Sequence, residues 1–246
     1  MKRFLPIRIL QLTDLHLSSQ NNNQYDNHFT AAIRFIQQRK VELKIDGIVV
    51  TGDISHEGQV SSYRLFFDEM DKLDLPYSIM PGNHDNCETL PACSSGRNKL
   101  RNIDSFSNST WSLYSLDTVV RGEDYGSISD SEILRLTSSF AAVKDQKVAL
   151  FMHHHPLSVG TPLVDSCKLL NPKALLKLCR DYPVHFLGTG HAHTLSQQKI
   201  GHTLISVAPA VSSQWVNGTS EVKSIMSSGF NIISLTDRVY TETHFI

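Results

Sequence analysis

Short apolar runs alternate with amphipathic stretches through the first third of the chain. Three runs rich in β-branched or large apolar residues, at positions 7–13, 48–51 and 77–80, predict buried strands. The stretches between them, 29–43 and 59–73, carry apolar residues at helical spacing and predict helices that each bury one face. This β-α-β-α-β alternation is typical of a parallel sheet with right-handed connections.

The remainder of the chain repeats this alternation and then changes to consecutive strands. Strands are predicted at 112–116, 147–152 and 184–187, and helices at 129–143 and from Pro172 onward. Four short, alternating, turn-linked runs are predicted to be antiparallel strands, at 195–200, 203–207, 230–235 and 239–246. Three polar stretches are interpreted as loops, the second with about one helical turn; they are residues 18–27, 86–108 and 212–228.

Length and composition indicate one soluble α/β domain over residues 1–246. A hydrophobic content of 40% and a mean hydropathy of -0.18 are typical of a globular protein with a full core. The formal net charge of -1 gives no field that would attract a nucleic-acid polymer or an anionic membrane. The four cysteines lack a CxxC spacing. No apolar run approaches the ~18 residues of a membrane span, and Pro6 and Arg8 interrupt the N-terminal run. We therefore expect a cytoplasmic protein with free thiols.

The predicted strands end in residue types that bind metals. The set comprises Asp14, His16, Asp53, Asn83, His84, the triplet His153, His154 and His155, and the pair His191 and His193. Ligands of open α/β sheets bind outside the carboxyl ends of the strands, so these side chains are predicted to share one site. Asp14 and His16 lie two residues apart, as do His191 and His193, and on an extended backbone both members of such a pair leave the same face.

The number and type of these groups predict two metal ions. Asp14, His16, Asp53, Asn83, one histidine of the triplet, His191 and His193 are too many ligands for one tetrahedral ion. They suit two ions about 3.5–4 Å apart. Nitrogen and oxygen ligands without thiolate favour Fe, Mn or Zn and argue against Ca. Asp53 is the natural bridging carboxylate, since no other ligand stands beside it.

Charge then indicates the substrate. Two divalent ions, two carboxylates and a bridging hydroxide leave a surplus of about one positive charge, which suits the anion of a phosphodiester. Neutral Asn83 preserves that surplus. From the pleat alone, His153 and His155 are equally possible ligands, because both face the same way. His28, His185, His202 and His244 are interpreted as ordinary core or surface residues.

Together these motifs resemble those of the calcineurin-like metallophosphoesterases. The similarity runs from residue 7 to about 207 and is carried by Asp14-Leu15-His16, Gly52-Asp53, Gly82-Asn83-His84-Asp85, His153-His154-His155-Pro156 and Gly190-His191-Ala192-His193. The run from His153 to Leu157, followed by Asp165 and Asn171-Pro172, is most similar to the bacterial class III cyclic-nucleotide phosphodiesterases. The resemblance implies a four-layer αββα sandwich, in which two mixed sheets are flanked by helices and a dinuclear metal centre lies at one edge.

The resemblance also implies roles for single residues. One metal would take Asp14, His16, Asp53 and His193, and the other Asp53, Asn83, His153 and His191, which decides for His153 over His155. His84 would be catalytic, standing by the phosphate to stabilise the transition state or protonate the leaving oxygen. Many relatives orient this histidine with an acidic or amide residue three positions after the bridging aspartate. Here His56 occupies that position, so we expect either that Glu57 substitutes or that His84 is held differently.

The expected function is hydrolysis of a phosphodiester, a 3′,5′-cyclic nucleotide above all, by a metal-bridging hydroxide. Other esters stay open: a 2′,3′-cyclic nucleotide, a glycerophosphodiester, a lipid-linked pyrophosphate or a phosphomonoester. A non-catalytic scaffold, as in the retromer subunit of this superfamily, is the alternative of another class; such proteins usually lose ligands that are all present here. A homodimer is possible. The motifs identify no substrate-binding residue, and segment 212–228 is the expected place for substrate-facing variation.

Overall fold

The computed structural model describes residues 6–19, 23–143 and 145–246. Within this part of the chain the elements follow in the order β1 (Ile7–Leu12), α1 (Gln24–Leu43), β2 (Gly47–Thr51), α2 (Val60–Lys72), β3 (Tyr77–Met80), α3 (Thr89–Ser94), a 3-10 turn (Ile103–Phe106), β4 (Trp111–Ser115), α4 (Asp130–Ala142), β5 (Lys147–Phe151), α5 (Pro162–Asp165), α6 (Pro172–Asp181), β6 (Val184–Thr189), β7 (Ser196–Ile200), β8 (Thr203–Val207), β9 (Gln214–Trp215), β10 (Ser224–Ile225), β11 (Gly229–Leu235) and β12 (Val239–Phe245).

Strand β1 lies at the centre of the first five-stranded sheet, whose order is β12-β11-β1-β2-β3. It pairs in parallel with β2, and β2 with β3, as the N-terminal alternation predicts. On its other side β1 pairs antiparallel with β11, and β11 with β12. The chain therefore returns to the first sheet only at its C-terminal end.

The second five-stranded sheet has the order β4-β5-β6-β8-β7. Its first four strands are parallel, and β7 is the antiparallel edge strand. The prediction that residues 203–207 form an antiparallel strand is therefore wrong for one of its two pairings: β8 is antiparallel to β7 but parallel to β6. A tight hairpin turn at Gly201 joins the two strands. Strand β7 therefore runs antiparallel to β8 along the edge of the sheet, while β8 pairs in parallel with β6.

The two sheets face each other and form the four-layer sandwich that the resemblance implies. Ile9, Val49, Phe151 and Phe186 pack between the sheets. The alternate residues of the first sheet pack against α1 and α2, and those of the second sheet against α4 and α6. Both faces of each central strand are covered, which explains their near-continuous apolar sequences. The predicted fold class is confirmed.

Three local elements differ from the sequence prediction. Helix α1 begins at Gln24 rather than 29, because the Asn23 side chain caps it by accepting from the N–H groups of Tyr25 and Asp26. His28 therefore lies inside the helix. Within the predicted loop 18–27, residues 20–22 lie outside the described part of the chain, as does the 1–5 stretch of the N-terminal run. The short helix α5 was not predicted, and segment 212–228 contains the β9–β10 hairpin. Among the described helices, none combines the length and apolarity that crossing a bilayer requires.

Candidate metal and phosphate site

The carboxyl ends of β1, β2, β3, β5 and β6 meet at one edge of the sandwich. Backbone hydrogen bonds join the loops that leave these strands: Asp14 N–H donates to the Gly52 carbonyl at 3.0 Å, and Gly190 N–H donates to the His153 carbonyl at 2.9 Å. The buried Gln11 side chain links the sheets by donating from Nε2 to the Thr189 carbonyl at 3.1 Å. All seven predicted metal-binding residues are brought to this edge, as the strand-end argument predicts.

Four of these residues converge on a first point. His16 Nε2 lies 2.9 Å from His193 Nε2 and 3.5 Å from Asp53 Oδ2. His193 Nε2 lies 3.5 Å from Asp14 Oδ1. The Asp14 carboxylate is held by the Thr13 hydroxyl and the His191 N–H, which donate to its Oδ2 at 2.8 and 2.9 Å. Two imidazole nitrogens and two carboxylate oxygens thus surround one position.

A second point is surrounded in the same way. Asn83 Oδ1 lies 3.1 Å from both His153 Nε2 and His191 Nδ1. Asp53 Oδ2 lies 3.5 Å from His153 Nε2, the same distance as from His16 Nε2 at the first point. The other oxygen of Asp53 accepts the His84 backbone N–H at 2.9 Å, which leaves Oδ2 to face both points. Asp53 is therefore the shared group, where the sequence predicts a bridging carboxylate.

Outer hydrogen bonds decide which nitrogen of each histidine faces the site. His153 donates from Nδ1 to the Thr51 carbonyl at 2.7 Å, and His193 donates from Nδ1 to the Ser213 carbonyl at 2.8 Å. Because a carbonyl only accepts, Nδ1 of each ring carries a proton and Nε2 is the nitrogen that faces the site. Such outer partners are the usual means of orienting metal-binding imidazoles. His16 has a weaker outer contact, 3.4 Å from Nδ1 to Nδ1 of His56.

The backbone at the site is strained in a consistent way. Asp14, His16, Asp53, His191 and His193 all have φ between 44° and 67°, in the left-handed region that side chains rarely adopt. The premise that these pairs share a face on an extended backbone is therefore wrong. They come together because each loop turns sharply where its strand ends. Left-handed non-glycine residues that cluster in this way are typical of functional sites.

Two glycines allow the loops to approach this closely. A Cβ at Gly82 would overlap Asp53 Oδ1, and a Cβ at Gly190 would overlap Thr13 Oγ1. Gly190 therefore provides the room that this close approach needs. Any larger residue at either position would displace a carboxylate of the site.

The donor set fits two divalent cations. The Nε2 atoms of His16 and His193 lie 2.9 Å apart, and a carboxylate oxygen of Asp53 or Asp14 lies 3.5 Å from each. Burial would lower the pKa of His153, but the neighbouring Asp53 raises it to about 9, so metal binding there would displace a proton. Burial lowers the pKa of His16 and of His191 well below the ordinary value, so both rings are neutral, the form that binds metals. Burial would raise the pKa of Asp53, but His153 and His16 hold it well below its usual range and keep the carboxylate ionised.

The three histidines of the triplet have different surroundings. His153 reaches the second point, whereas His155 Nε2 lies 3.5 Å from Asp165 Oδ1. His154 is buried, with Nδ1 2.8 Å from the Thr118 hydroxyl, and burial lowers its pKa to about 3. Of the two alternatives that the pleat left open, the structure brings His153 to the cluster.

His84 stands at the edge of this cluster, half-buried and beside His16. Its Nδ1 donates to the backbone carbonyl of His56 at 2.9 Å. Glu57 is exposed and accepts from Gln59 instead, so it does not substitute for the partner found in relatives. The His56 ring is stacked on His84, with centroids 5.4 Å apart and planes at 15°.

Comparisons with known proteins now decide the family. The profile described as Calcineurin-like phosphoesterase matches residues 7–195. The chain belongs to the calcineurin-like phosphoesterase family. It is therefore a metal-dependent phosphoric ester hydrolase, and the non-catalytic alternative is set aside.

Curated relatives of the phosphoesterase are similar over nearly its whole length. A Xenorhabdus bovienii protein named "Probable cyclic nucleotide phosphodiesterase" is 37% identical over 238 residues, which cover 94% of this chain and 96% of that protein. The 3′,5′-cyclic adenosine monophosphate phosphodiesterase of Pseudomonas aeruginosa is 27% identical over 242 residues, 96% of this chain and 88% of its own. A dimetal phosphatase from Danio rerio has the same fold, with a TM-score of 0.65 at 11% identity over 96% of this chain and 98% of its own.

The phosphoesterase has a cavity of about 330 Å³ directly above the cluster. Its floor consists of His16, Asp53, Asn83, His84, His191 and His193. Its wall is different in character and is mostly apolar or aromatic, with Tyr25, Leu163, Val164, Trp215 and Val222; Asp124, Cys167, His56 and Ser213 complete the lining. The cavity thus combines metal-facing polar residues with a largely apolar surface.

Several residues that shape the site were not found from the sequence. The carbonyls of Thr51, Ser213 and His56 carry no side-chain signal, since any residue supplies them. Asp85 accepts from the Gly82 N–H at 3.0 Å, as a local turn residue does. It also accepts from Ile54, Ser55 and the Tyr63 hydroxyl at 3.0–3.1 Å, and so joins two of the catalytic loops. For Trp215 a signal existed: a lone aromatic in a Ser-rich stretch.

Proposed function

We propose that this chain hydrolyses a 3′,5′-cyclic nucleotide with the aid of two metal ions. The observation that supports this proposal most directly is the position of Asp53 Oδ2, which lies 3.5 Å from a histidine nitrogen at each of the two convergent points. A shared carboxylate between two sets of nitrogen and oxygen ligands is what a pair of adjacent ions requires. When bound, such ions neutralise phosphate charge and lower the pKa of a coordinated water to about 7.

The ligand assignment follows the two convergent points. One ion would be held by Asp14, His16, Asp53 and His193 and the other by Asp53, Asn83, His153 and His191. Asn83 carries no charge, so the cluster contributes two carboxylates rather than three. That balance favours a substrate with one negative charge, a diester over a monoester. Metal identity stays open among Fe, Mn and Zn, because such nitrogen and oxygen sets accept all three.

His84 would serve the leaving oxygen. Its Nδ1–H is engaged by the His56 carbonyl, so Nε2 is the atom available to the substrate. In the protonated ring Nε2–H would donate to the departing ribose oxygen and transfer its proton as the P–O bond breaks, leaving a neutral imidazole. His84 lies beside His16 and His56 and belongs to neither of the two proposed ligand sets.

The choice of a cyclic nucleotide rests on the relatives and on the cavity. Proteins named as cyclic nucleotide phosphodiesterases cover 94–96% of this chain. A cavity of about 330 Å³ that opens from the metal-facing floor suits a substrate of nucleotide size. A small-molecule diester is therefore the proposed partner; a homodimer and a cytoplasmic location stay predictions.

A substrate panel with defined metals tests the proposal. Metal-loaded enzyme is assayed with 3′,5′-cAMP, 2′,3′-cAMP, glycerophosphocholine, p-nitrophenyl phosphate and bis-p-nitrophenyl phosphate, with products identified by phosphorus NMR. We expect the highest kcat/KM for 3′,5′-cAMP. Asp53→Ala is the matched control and should lose both metal and turnover of every substrate. A higher kcat/KM for glycerophosphocholine or for 2′,3′-cAMP would overturn the assignment while leaving the phosphodiesterase chemistry intact.

A further inference from the structure

The apolar wall of the cavity has no function in the chemistry of the metal-facing floor. We propose that Trp215 is a platform on which the flat base of the nucleotide packs while its phosphate lies over the metal-facing residues. This inference rests on the proposed function and identifies the residues that would make the enzyme selective for nucleotides. The bound group is a purine or pyrimidine ring, the part of the substrate that glycerol-type diesters lack.

Trp215 is placed directly beside the metal-facing residues. Its ring centroid lies 5.5 Å from that of His193, with the planes inclined by 36°. Its backbone N–H donates to the His193 carbonyl at 2.9 Å. The side chain is half-buried and lines the same cavity as His84. A substrate whose phosphate contacts His193 and His84 therefore places its adjoining organic group within reach of the indole.

Two other residues of the wall form one apolar cluster with Trp215. Leu163 and Val164, on α5, pack with it over Ala192. Two hydrogen bonds tie α5 to the β9–β10 hairpin: Leu163 N–H donates to the Thr219 carbonyl at 3.1 Å, and Gly218 N–H donates to the Thr161 hydroxyl at 3.1 Å. The wall is thus built from two distant segments of sequence and held in place by their backbones.

The hairpin that carries Trp215 is anchored before any ligand arrives. The buried Gln214 side chain donates to the carbonyls of Ala210 and Ser227 at 2.7 and 2.9 Å and accepts the Ala210 N–H at 3.2 Å. These bonds close the two ends of the hairpin. A platform that is already rigid loses little conformational entropy when a ring packs on it. Val222 stands at the lip of the cavity and is 78% exposed.

The chemistry of the wall selects among ligands. Apart from Asp124, its side chains offer apolar and aromatic surface, on which a strongly hydrated group would lose water without gaining polar partners. Every nucleobase has a π-face, and stacking of a base on an aromatic side chain contributes about 1–3 kcal/mol, or roughly 5- to 150-fold in affinity. A glycerol headgroup gains no such contact. A choline headgroup would gain a cation–π contact of about 0.5–2 kcal/mol with the indole, but it has no flat face to stack. A nucleobase is therefore the occupant that this wall favours.

Tryptophan fluorescence tests binding directly, because the chain contains only two tryptophans. Trp111 is fully buried between the sheets, belongs to a different apolar cluster from Trp215 and does not line the cavity. Metal-loaded Trp111→Phe enzyme is titrated with AMP and with ribose 5-phosphate, which carries the same phosphate without a base. We expect AMP to change the fluorescence of Trp215 and ribose 5-phosphate to leave it nearly unchanged. Equal responses to both ligands, or none to AMP at concentrations that inhibit turnover, would overturn the proposal.

Kinetics with matched substrates separate the platform from a general structural role. Trp215→Ala is expected to raise KM for 3′,5′-cAMP by roughly 5- to 150-fold with kcat changed little. KM for the baseless diester, methyl riboside 3′,5′-cyclic phosphate, should stay within about threefold. Trp215→Phe should recover most of the loss. Equal losses for both substrates would contradict the proposal, and metal content is measured to detect damage at His193.

If wild-type enzyme hydrolyses bis-p-nitrophenyl phosphate but not cAMP, the proposed function fails, and the AMP titration still decides the role of Trp215.

Discussion

The ring of His84 is held by the main chain of His56, with Nδ1 donating to the carbonyl oxygen at 2.9 Å. The orientation of His84 therefore depends on the course of the loop that follows Asp53 and not on the type of side chain at position 56. This explains how a histidine can occupy a position where relatives carry an acidic or amide residue. The stacked His56 ring then limits the movement of His84 from one side.

Replacing His84 by Ala is expected to lower kcat by about 10²- to 10⁴-fold, the usual contribution of a positioned acid. Metal content should not change, because none of the ligand pairs includes the His84 side chain. Steady-state kinetics and elemental analysis on the same preparation check both statements. A full complement of activity in this variant would remove His84 from the mechanism.

Replacing His56 by Ala should have a different effect. The carbonyl that orients His84 is retained, so kcat at saturating metal should fall by less than about tenfold. Loss of the ring removes the 3.4 Å contact with His16 Nδ1, and the loss of such an outer partner typically weakens metal binding by about 10- to 100-fold. Metal titration followed by assay separates the two effects. A loss of kcat as large as that of His84→Ala, at full metal occupancy, would contradict the carbonyl assignment.

Asp85 is expected to be a stability residue. Asp85→Ala would leave three backbone N–H groups, at Ile54, Ser55 and Gly82, without their acceptor. At roughly 1–3 kcal/mol for each buried unsatisfied donor, partly relieved by water, the free energy of unfolding should fall by about 3–5 kcal/mol. Tyr63→Phe is the comparison variant: it removes the hydroxyl that donates to Asp85 at 3.0 Å and accepts the Asn86 N–H at 2.8 Å, keeps the acceptor of the three backbone groups, and should cost about 1–2 kcal/mol. Urea unfolding measures both; equal small losses would show that the loops are held by other contacts.

The four free cysteines should differ in reactivity. Burial raises the pKa of the Cys179 thiol to about 12, whereas Cys87 is exposed. At pH 8 iodoacetamide should therefore label Cys87 in the native protein and Cys179 only after unfolding, which peptide mass spectrometry resolves. Because the unfolded thiol ionises near its ordinary pKa and the folded one does not, Cys179 should also make unfolding more favourable as the pH rises above about 9. Labelling of native Cys179 at the rate of Cys87 would contradict its burial.

Much of the site could be predicted from the sequence because the strands themselves carry the signal. Each metal-facing residue follows an apolar run, and the carboxyl ends of parallel strands meet at one edge. The chemistry of the residues then indicates metals without any coordinates. The first three strands and both N-terminal helices are likewise visible in the apolar spacing, although the capped first turn of α1 is polar and carries no periodic signal.

The remaining features depend on tertiary contacts. The sequence of residues 203–207 does not indicate that β8 pairs in parallel with β6. The direction of β8 relative to β6 is set by the hairpin that precedes β8. Asp14 and His193 have left-handed backbone conformations. Aspartate and histidine do not require this conformation, so the residue types alone do not predict it. Trp215 reaches the cavity only because Gln214 closes the hairpin and the His193 carbonyl receives its N–H.

Metal reconstitution of the apoprotein tests the central claim most directly. Bound Mn²⁺ and the rate of 3′,5′-cAMP hydrolysis are measured on the same samples as metal is added in steps. If Asp53 joins two ions in one catalytic centre, the protein should take up about two equivalents and activity should follow the second. Full activity at one equivalent, or hydrolysis that is independent of metal, would contradict the account.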